Sequence, residues 1–86
     1  MYRYYWSVAA LDELAEVYVN ETAAQRERIA AGVESFNKRL ADDPFDVGES
    51  RAGGYRVAFP PLLRVSLHVD KEARRVQVVG VIRYGK

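Results

Sequence analysis

Gly53-Gly54-Tyr55-Arg56-Val57-Ala58-Phe59-Pro60-Pro61-Leu62-Leu63-Arg64-Val65-Ser66-Leu67-His68-Val69-Asp70 opens the last third of the chain, and Arg75-Val76-Gln77-Val78-Val79-Gly80-Val81-Ile82-Arg83-Tyr84 all but closes it. Both runs are rich in β-branched and aromatic residues and broken by turn residues, so they predict three consecutive strands. Successive side chains of a strand point to opposite faces. Alternation gives Tyr55, Val57 and Phe59 to a core face of the first strand and Arg56 and Ala58 to the other. In Leu62–Asp70 it gives Leu63, Val65, Leu67 and Val69 to the core, against Arg64, Ser66 and His68. In Arg75–Tyr84 it gives Val76, Val78, Gly80 and Ile82 to the core, against Val79, Val81 and Arg83. Arg56, Arg64 and Arg83 are thus expected on one shared face, a small basic surface suited to an anion. Pro60-Pro61 cannot donate to a ladder and belongs at a hairpin tip, and Asp70–Arg74 forms the next turn.

Upstream, the period changes. Thr22-Ala23-Ala24-Gln25 fits a capping box that starts a helix, with Ile29, Val33, Phe36 and Leu40 as its buried stripe and Asn37 beside it. Asp42-Asp43-Pro44 stops that helix, because proline disfavours helical geometry at the preceding residue. Ala9–Glu21 predicts an earlier helix with its stripe at Leu11, Leu14, Ala15, Tyr18 and Val19. Tyr2–Val8 alternates as a strand, with Tyr5 opposite Tyr4 and Trp6. Phe45–Gly54 reads as a loop anchored by Phe45 and Val47. The order is β-α-α-β-β-β, an α+β domain with a helical hairpin packed on one face of a mainly antiparallel sheet.

The chain has 86 residues, enough for one core and one domain, 1–86. Hydrophobic residues at 49% and charged residues at 29% are ordinary for a globular protein, which argues against disorder. No apolar run approaches the roughly 20 residues that span a bilayer, and the aromatic start lacks a signal-peptide pattern. There is no cysteine, hence no disulfide framework and no thiolate metal site. A cytoplasmic location is the expectation. A net charge of +1 makes bulk electrostatic affinity for nucleic acid weak, so anion binding must come from local clustering. Gly-rich phosphate loops, nucleophile elbows and metal-ligand clusters do not occur, and no cofactor is expected.

Several local features resemble the RelE/ParE superfamily of toxins from bacterial toxin–antitoxin modules. They are Ala10-Leu11-Asp12-Glu13-Leu14 opening helix one, Leu40-Ala41-Asp42-Asp43-Pro44 closing helix two, and Gly54-Tyr55-Arg56-Val57 in a strand. Leu63-Arg64-Val65-Ser66-Leu67-His68-Val69 resembles the family's arginine-containing strand, and Val78-Val79-Gly80-Val81-Ile82-Arg83-Tyr84 its final strand. The resemblance covers nearly the whole chain through the order and spacing of short motifs. It implies the toxin of a type II module, with functions such as plasmid stabilisation, a cognate antitoxin that wraps around it, and a homodimer or a hetero-oligomer with the antitoxin. Two activities are open. RelE-like and YoeB-like members cut messenger RNA on the ribosome as mRNA interferases; ParE-like members poison DNA gyrase. A non-toxic interaction domain with a degenerate site is the alternative.

Attack by a ribose 2′-hydroxyl needs a base, a cation on the phosphate and an acid for the leaving oxygen. Arg64 is the best phosphate clamp, since its planar fork matches two phosphate oxygens. Arg56 and Arg83 resemble further family arginines, although Ala58 replaces the second basic residue of that strand. His68 is the only histidine and the candidate proton shuttle, since imidazole is the side chain suited to moving protons at neutral pH; otherwise it is structural. Glu49 lies in the loop where YoeB-like members carry a catalytic glutamate. Tyr84 is placed to stack on a base or to cover the sheet edge. The chain ends Arg83-Tyr84-Gly85-Lys86, without the terminal histidine of YoeB-like members or the C-terminal tyrosine extension of RelE-like ones. The phosphate-binding half of a nuclease is therefore better represented than the proton-transfer half, which favours a ParE-like or altered member. Tyr5, on the face away from Tyr4 and Trp6, is a candidate antitoxin contact.

Overall fold

Ser7 starts the first helix: its hydroxyl oxygen accepts a hydrogen bond from the Ala10 N–H at 3.0 Å. Thr22 does the same for the second, accepting from the Gln25 N–H at 3.2 Å. The Gln25 amide does not reciprocate as in a capping box; it accepts from Arg28 instead. In the computed structural model, which describes residues 1–86, the elements are β1 (Arg3–Trp6), α1 (Val8–Val19), α2 (Ala23–Asp42), β2 (Glu49–Ser50), β3 (Tyr55–Ala58), β4 (Leu63–Asp70) and β5 (Arg75–Arg83). The expected α+β order is present, with β2 as an addition inside the segment expected to be loop. Two short 3-10 turns, Pro44–Asp46 and Ala52–Gly54, flank β2.

The five strands form one sheet in the order β1-β5-β4-β3-β2. β1 runs parallel to β5, and the other neighbours are antiparallel. Both helices lie on one face, and the core forms between them and the sheet. Ile29, Phe36 and Leu40 are buried on α2 as the spacing requires, and they meet Val65, Leu67, Val76 and Val78. Trp6 packs edge-on against Phe36 and donates its indole N–H to the Asn37 side-chain oxygen at 2.9 Å, joining β1 to α2. Val47 is buried as expected of a loop anchor, whereas Phe45 is half-exposed, packing edge-on against Tyr2, and Pro44 beside it is buried instead.

The stripe of α1 differs from its expected position. Ala10, Leu14, Val17 and Tyr18 face the core, while Leu11 and Val19 are exposed. These inward positions follow i, i+4, i+7, i+8, one residue around the helix from the expected set. Ala10 is fully buried, and its short side chain suits a close approach of α1 to β5. No helix is long and apolar enough to cross a membrane.

Gly48 fixes the entry to β2. It adopts φ +67°, and a Cβ there would be driven into the carbonyl oxygen of Val57 on β3. Gly48→Ala should therefore cost about 2 kcal/mol or more in a urea titration, combining left-handed strain with a backbone clash. Gly85→Ala has a similar φ of +81° and nothing within 4 Å, so it should cost about 1 kcal/mol at most. Equal losses at the two positions would show that the clash is relieved by movement of β2.

Candidate functional site

The register decides which arginines share a face. Residues paired across neighbouring strands point to the same side of the sheet. Arg56 pairs with Leu67, and Ala58 with Val65. Leu67 and Val65 belong to the core, so Arg56 and Ala58 face the helices. Tyr55 and Val57, paired with His68 and Ser66, face away. Val57 is buried to 6% exposure yet stands outside the core cluster, as a residue of the helix-free face should. The expected assignment of β3 is thus inverted.

Arg83 is displaced by a different device. Ser66 pairs with Gly80 but Leu67 pairs with Val78, which leaves Val79 as an unpaired bulge residue on β5. Before the bulge, Val76 and Val78 face the core as alternation predicts. After it the phase is reversed: Val81 is buried, Ile82 is exposed, and Arg83 pairs with core-facing Leu63.

The expected cluster of Arg56, Arg64 and Arg83 on one face is therefore incorrect: Arg64 stands alone among them. The other two guanidinium groups are hydrogen-bonded within the molecule. Arg56 lies under the β2 segment, where Nε donates to the Val47 carbonyl at 2.8 Å and Nη2 to the Gly48 carbonyl at 3.1 Å. Arg83 Nε donates to Glu21 Oε2 at 2.8 Å, beyond the end of α1, and its Nη1 donates to the Gly85 carbonyl.

On the helix-free face, Arg64 is exposed and pairs with Ile82. Phe59, one residue beyond β3, falls opposite Arg64 by continuation of the β3–β4 register. It packs on Tyr84 with ring centroids 5.1 Å apart. The sequence reading gave Phe59 to the core, but it is 47% exposed. Ala58 pairs with core-facing Val65, so by alternation Phe59 points outwards.

Further along the same face, Tyr5, Gln77, His68 and Tyr55 form one row across four strands. His68 Nε2 lies 3.1 Å from the Gly53 carbonyl, and its ring meets that of Tyr55 at 4.8 Å. Tyr5 faces away from Tyr4 and Trp6, as expected. With His68, Asp70, Arg75 and Gln77 it lines a shallow concavity of about 520 Å³. Glu49, paired with Val57, is also on this face, and its carboxylate lies 3.8 Å from Arg51.

Four of the expected site residues, Arg64, Tyr84, His68 and Glu49, are thus presented on the helix-free side, but not at one point. His68 is four residues from Arg64 on the same strand, about 13 Å at roughly 3.3 Å per residue. Glu49 is two strands and one pleat away, about 12 Å by the same spacings. The guanidinium that lines the concavity together with His68 is that of Arg75, not Arg64. Near Arg64 stand Ile82 and the Phe59–Tyr84 pair, which offer a cation beside apolar and aromatic surface.

No protein-family model matches the chain, and no curated protein matches it in sequence. Solved structures do match. A chain of the chromosomal ParDE toxin–antitoxin system of P. aeruginosa superposes with a TM-score of 0.73 at 16% identity, covering 99% of this chain and 98% of that one. A chain of the toxin–antitoxin complex RelBE2 from Mycobacterium tuberculosis gives 0.73 at 22% identity, covering 99% and 93%. A chain of the intact E. coli RelBE toxin–antitoxin complex gives 0.65 at 14%, covering the whole of both. The fold is of the RelE/ParE type, as the order of motifs suggested.

If Arg83 serves structure, its energy should appear in folding. The Arg83 and Glu21 side chains are 33% and 15% exposed. A double-mutant cycle on Arg83→Ala and Glu21→Ala should return about 1 kcal/mol of coupling in urea unfolding. The exposed Lys38–Glu34 pair at 3.6 Å should return only a few tenths. No coupling between Arg83 and Glu21 would free Arg83 for another role.

Proposed function

We propose that residues 1–86 act as the toxin of a type II toxin–antitoxin module, as a single cytoplasmic domain neutralised by a cognate antitoxin, and that it arrests growth by binding a protein target rather than by cutting messenger RNA. DNA gyrase is the target class that the resemblance supplies. The toxin reading is supported by likeness, over the full chain, to chains of three toxin–antitoxin complexes. One observation carries the mechanism: Arg56 and Arg83 are bound into the helix-facing side, which leaves Arg64 the only one of the three arginines on the open face. A cleaving site needs a cation, a base and an acid within reach of one phosphate. Here Arg64 stands four strand positions from His68 and two strands from Glu49, so the three do not form a preassembled set.

A second reading is ribosome-dependent messenger cleavage. The placement of Arg64 next to Tyr84 and Phe59 favours it, since a guanidinium beside an aromatic pair suits a nucleotide. Catalysis would then rest on Arg64 and Tyr84, with His68 and Glu49 as more distant members of the set.

Expression of the chain alone should arrest bacterial growth, and co-expression of a short neighbouring gene product should restore it. Under the protein-target reading, Arg64→Ala retains the arrest, and primer extension on messages from arrested cells shows no new 5′ ends. Loss of arrest together with loss of codon-positioned cleavage in Arg64→Ala would overturn that reading in favour of the nuclease. Absence of arrest in the unaltered chain, with confirmed expression, would overturn the toxin assignment itself.

A further inference from the structure

Three arginines gather at the opposite end of the open face from Arg64. Arg3 on β1 pairs with Arg75 on β5, and Arg75 pairs with Asp70 on β4. This row stands two residues from the row of Tyr5, Gln77 and His68, so it shares the helix-free face. Arg74, in the turn between β4 and β5, adopts φ +53°, and its carbonyl accepts the Arg3 N–H at 3.0 Å. The turn is thereby tied to the start of β1, and Arg3, Arg74 and Arg75 together line a concavity of about 460 Å³. Asp70 is six residues from Arg64 along β4, about 20 Å at roughly 3.3 Å per residue, so the cluster is separate from Arg64.

Little of this charge is used inside the molecule. The Arg3 and Arg74 side chains make no hydrogen bond and no ion pair. Arg75 has Asp70 at 3.8 Å, with both side chains about half exposed, and Asp70 also accepts the Ala73 N–H at 3.0 Å. One carboxylate thus stands among three guanidinium groups, while Lys71 and Glu72 of the same turn offset each other. Arg75 also lines the neighbouring concavity of Tyr5, His68 and Gln77, whose surface is of another kind. Tyr5 is 47% exposed and presents aromatic surface. The Gln77 amide, which both donates and accepts, has no partner within the chain. His68 Nε2 faces the Gly53 carbonyl at 3.1 Å; a carbonyl only accepts, so Nε2 holds a proton and the other ring nitrogen is left for a ligand.

We propose that the two concavities form one site for a nucleoside phosphate, with the phosphate among Arg3, Arg74 and Arg75 and the base against Tyr5, beside Gln77 and His68. The arginine row and the tyrosine row are two residues apart, about 6.5 Å at the strand rise, which suits the offset between the phosphate and the base of one nucleotide. Guanidinium forks match phosphate oxygens, and an aromatic side chain stacks on a base of any kind. Gln77 can donate or accept, so it serves more than one base edge. An acidic peptide would engage the arginines and leave the aromatic and amide row unused. A free nucleotide and one residue of a single strand offer the same chemistry. The inference rests on this end of the sheet alone, and on neither Arg64 nor the toxin reading.

The probes are adenosine 5′-monophosphate, the 5′-phosphorylated adenylate trinucleotide, inorganic phosphate and tetraglutamate, each titrated into the full-length 15N-labelled chain. The mononucleotide should shift the amides of Arg3, Tyr5, Arg75 and Gln77 and leave those of Arg64 and Ile82 in place. Arg74→Gly removes a guanidinium at a backbone conformation that glycine adopts freely, so the turn is kept. Combined with Arg3→Gln, it should weaken mononucleotide binding about tenfold or more. Tyr5→Thr should weaken it about fivefold or more and leave inorganic phosphate binding unchanged. Tighter binding of the trinucleotide, with the same losses in the variants, identifies a strand as the source; equal binding identifies a free nucleotide, and either result supports the site. Unchanged mononucleotide affinity in the double variant would overturn it. So would shifts centred on Arg64, no shifts at all, an equal loss of phosphate and mononucleotide in Tyr5→Thr, or tetraglutamate binding as tightly as the mononucleotide.

Discussion

Val79 has no partner on β4, and that single unpaired residue decides the side to which the end of the chain presents its side chains. A bulge adds one residue to one strand, so the alternation beyond it is reversed. Val81 enters the core in place of Ile82, and Arg83 comes to lie beside Glu21 instead of beside Arg64. The bulge lies where β1 ends and no longer covers β5. Past Trp6 the free edge of β5 has an outward N–H at Val81, and the Glu13 carboxylate on α1 accepts it at 2.9 Å. A charged acceptor on a backbone donor is worth about 1.5–3 kcal/mol, against a penalty of similar size if that donor were buried unpaired. The side chain from α1 thus replaces a neighbouring strand and holds the helix to the sheet at the point where the register changes.

Much of the architecture was legible because its signals are local. Thr22 and Pro44 bracket α2, and Ile29, Phe36 and Leu40 recur at helical spacing between them. β4 alternates without interruption, so Arg64, Ser66 and His68 were assigned to the correct face. The errors came where tertiary packing overrides a local pattern. On β3, apolar content marked Tyr55, Val57 and Phe59 as the core set. The helix-facing side there takes Ala58, with Arg56 extending sideways to the Val47 and Gly48 carbonyls. On β5, a run of valines gives no indication of which residue is skipped. On α1, two apolar stripes one residue apart compete, and the close contact at Ala10 selects between them.

These reversals alter the chemistry more than the fold. Three guanidinium groups around one phosphate would clamp it and neutralise developing charge. Two of them are instead bound to backbone carbonyls or to Glu21, and their mutation would report on folding. What remains outside is a sheet face that is cationic at Arg64, Arg75 and Arg3, with Asp70 beside Arg75, aromatic at Phe59, Tyr84, Tyr55 and Tyr5, and polar at Ser66, His68 and Gln77. Such a surface is suited to holding a partner. Aromatic residues and arginine are the side chains that carry most of the binding energy at interfaces.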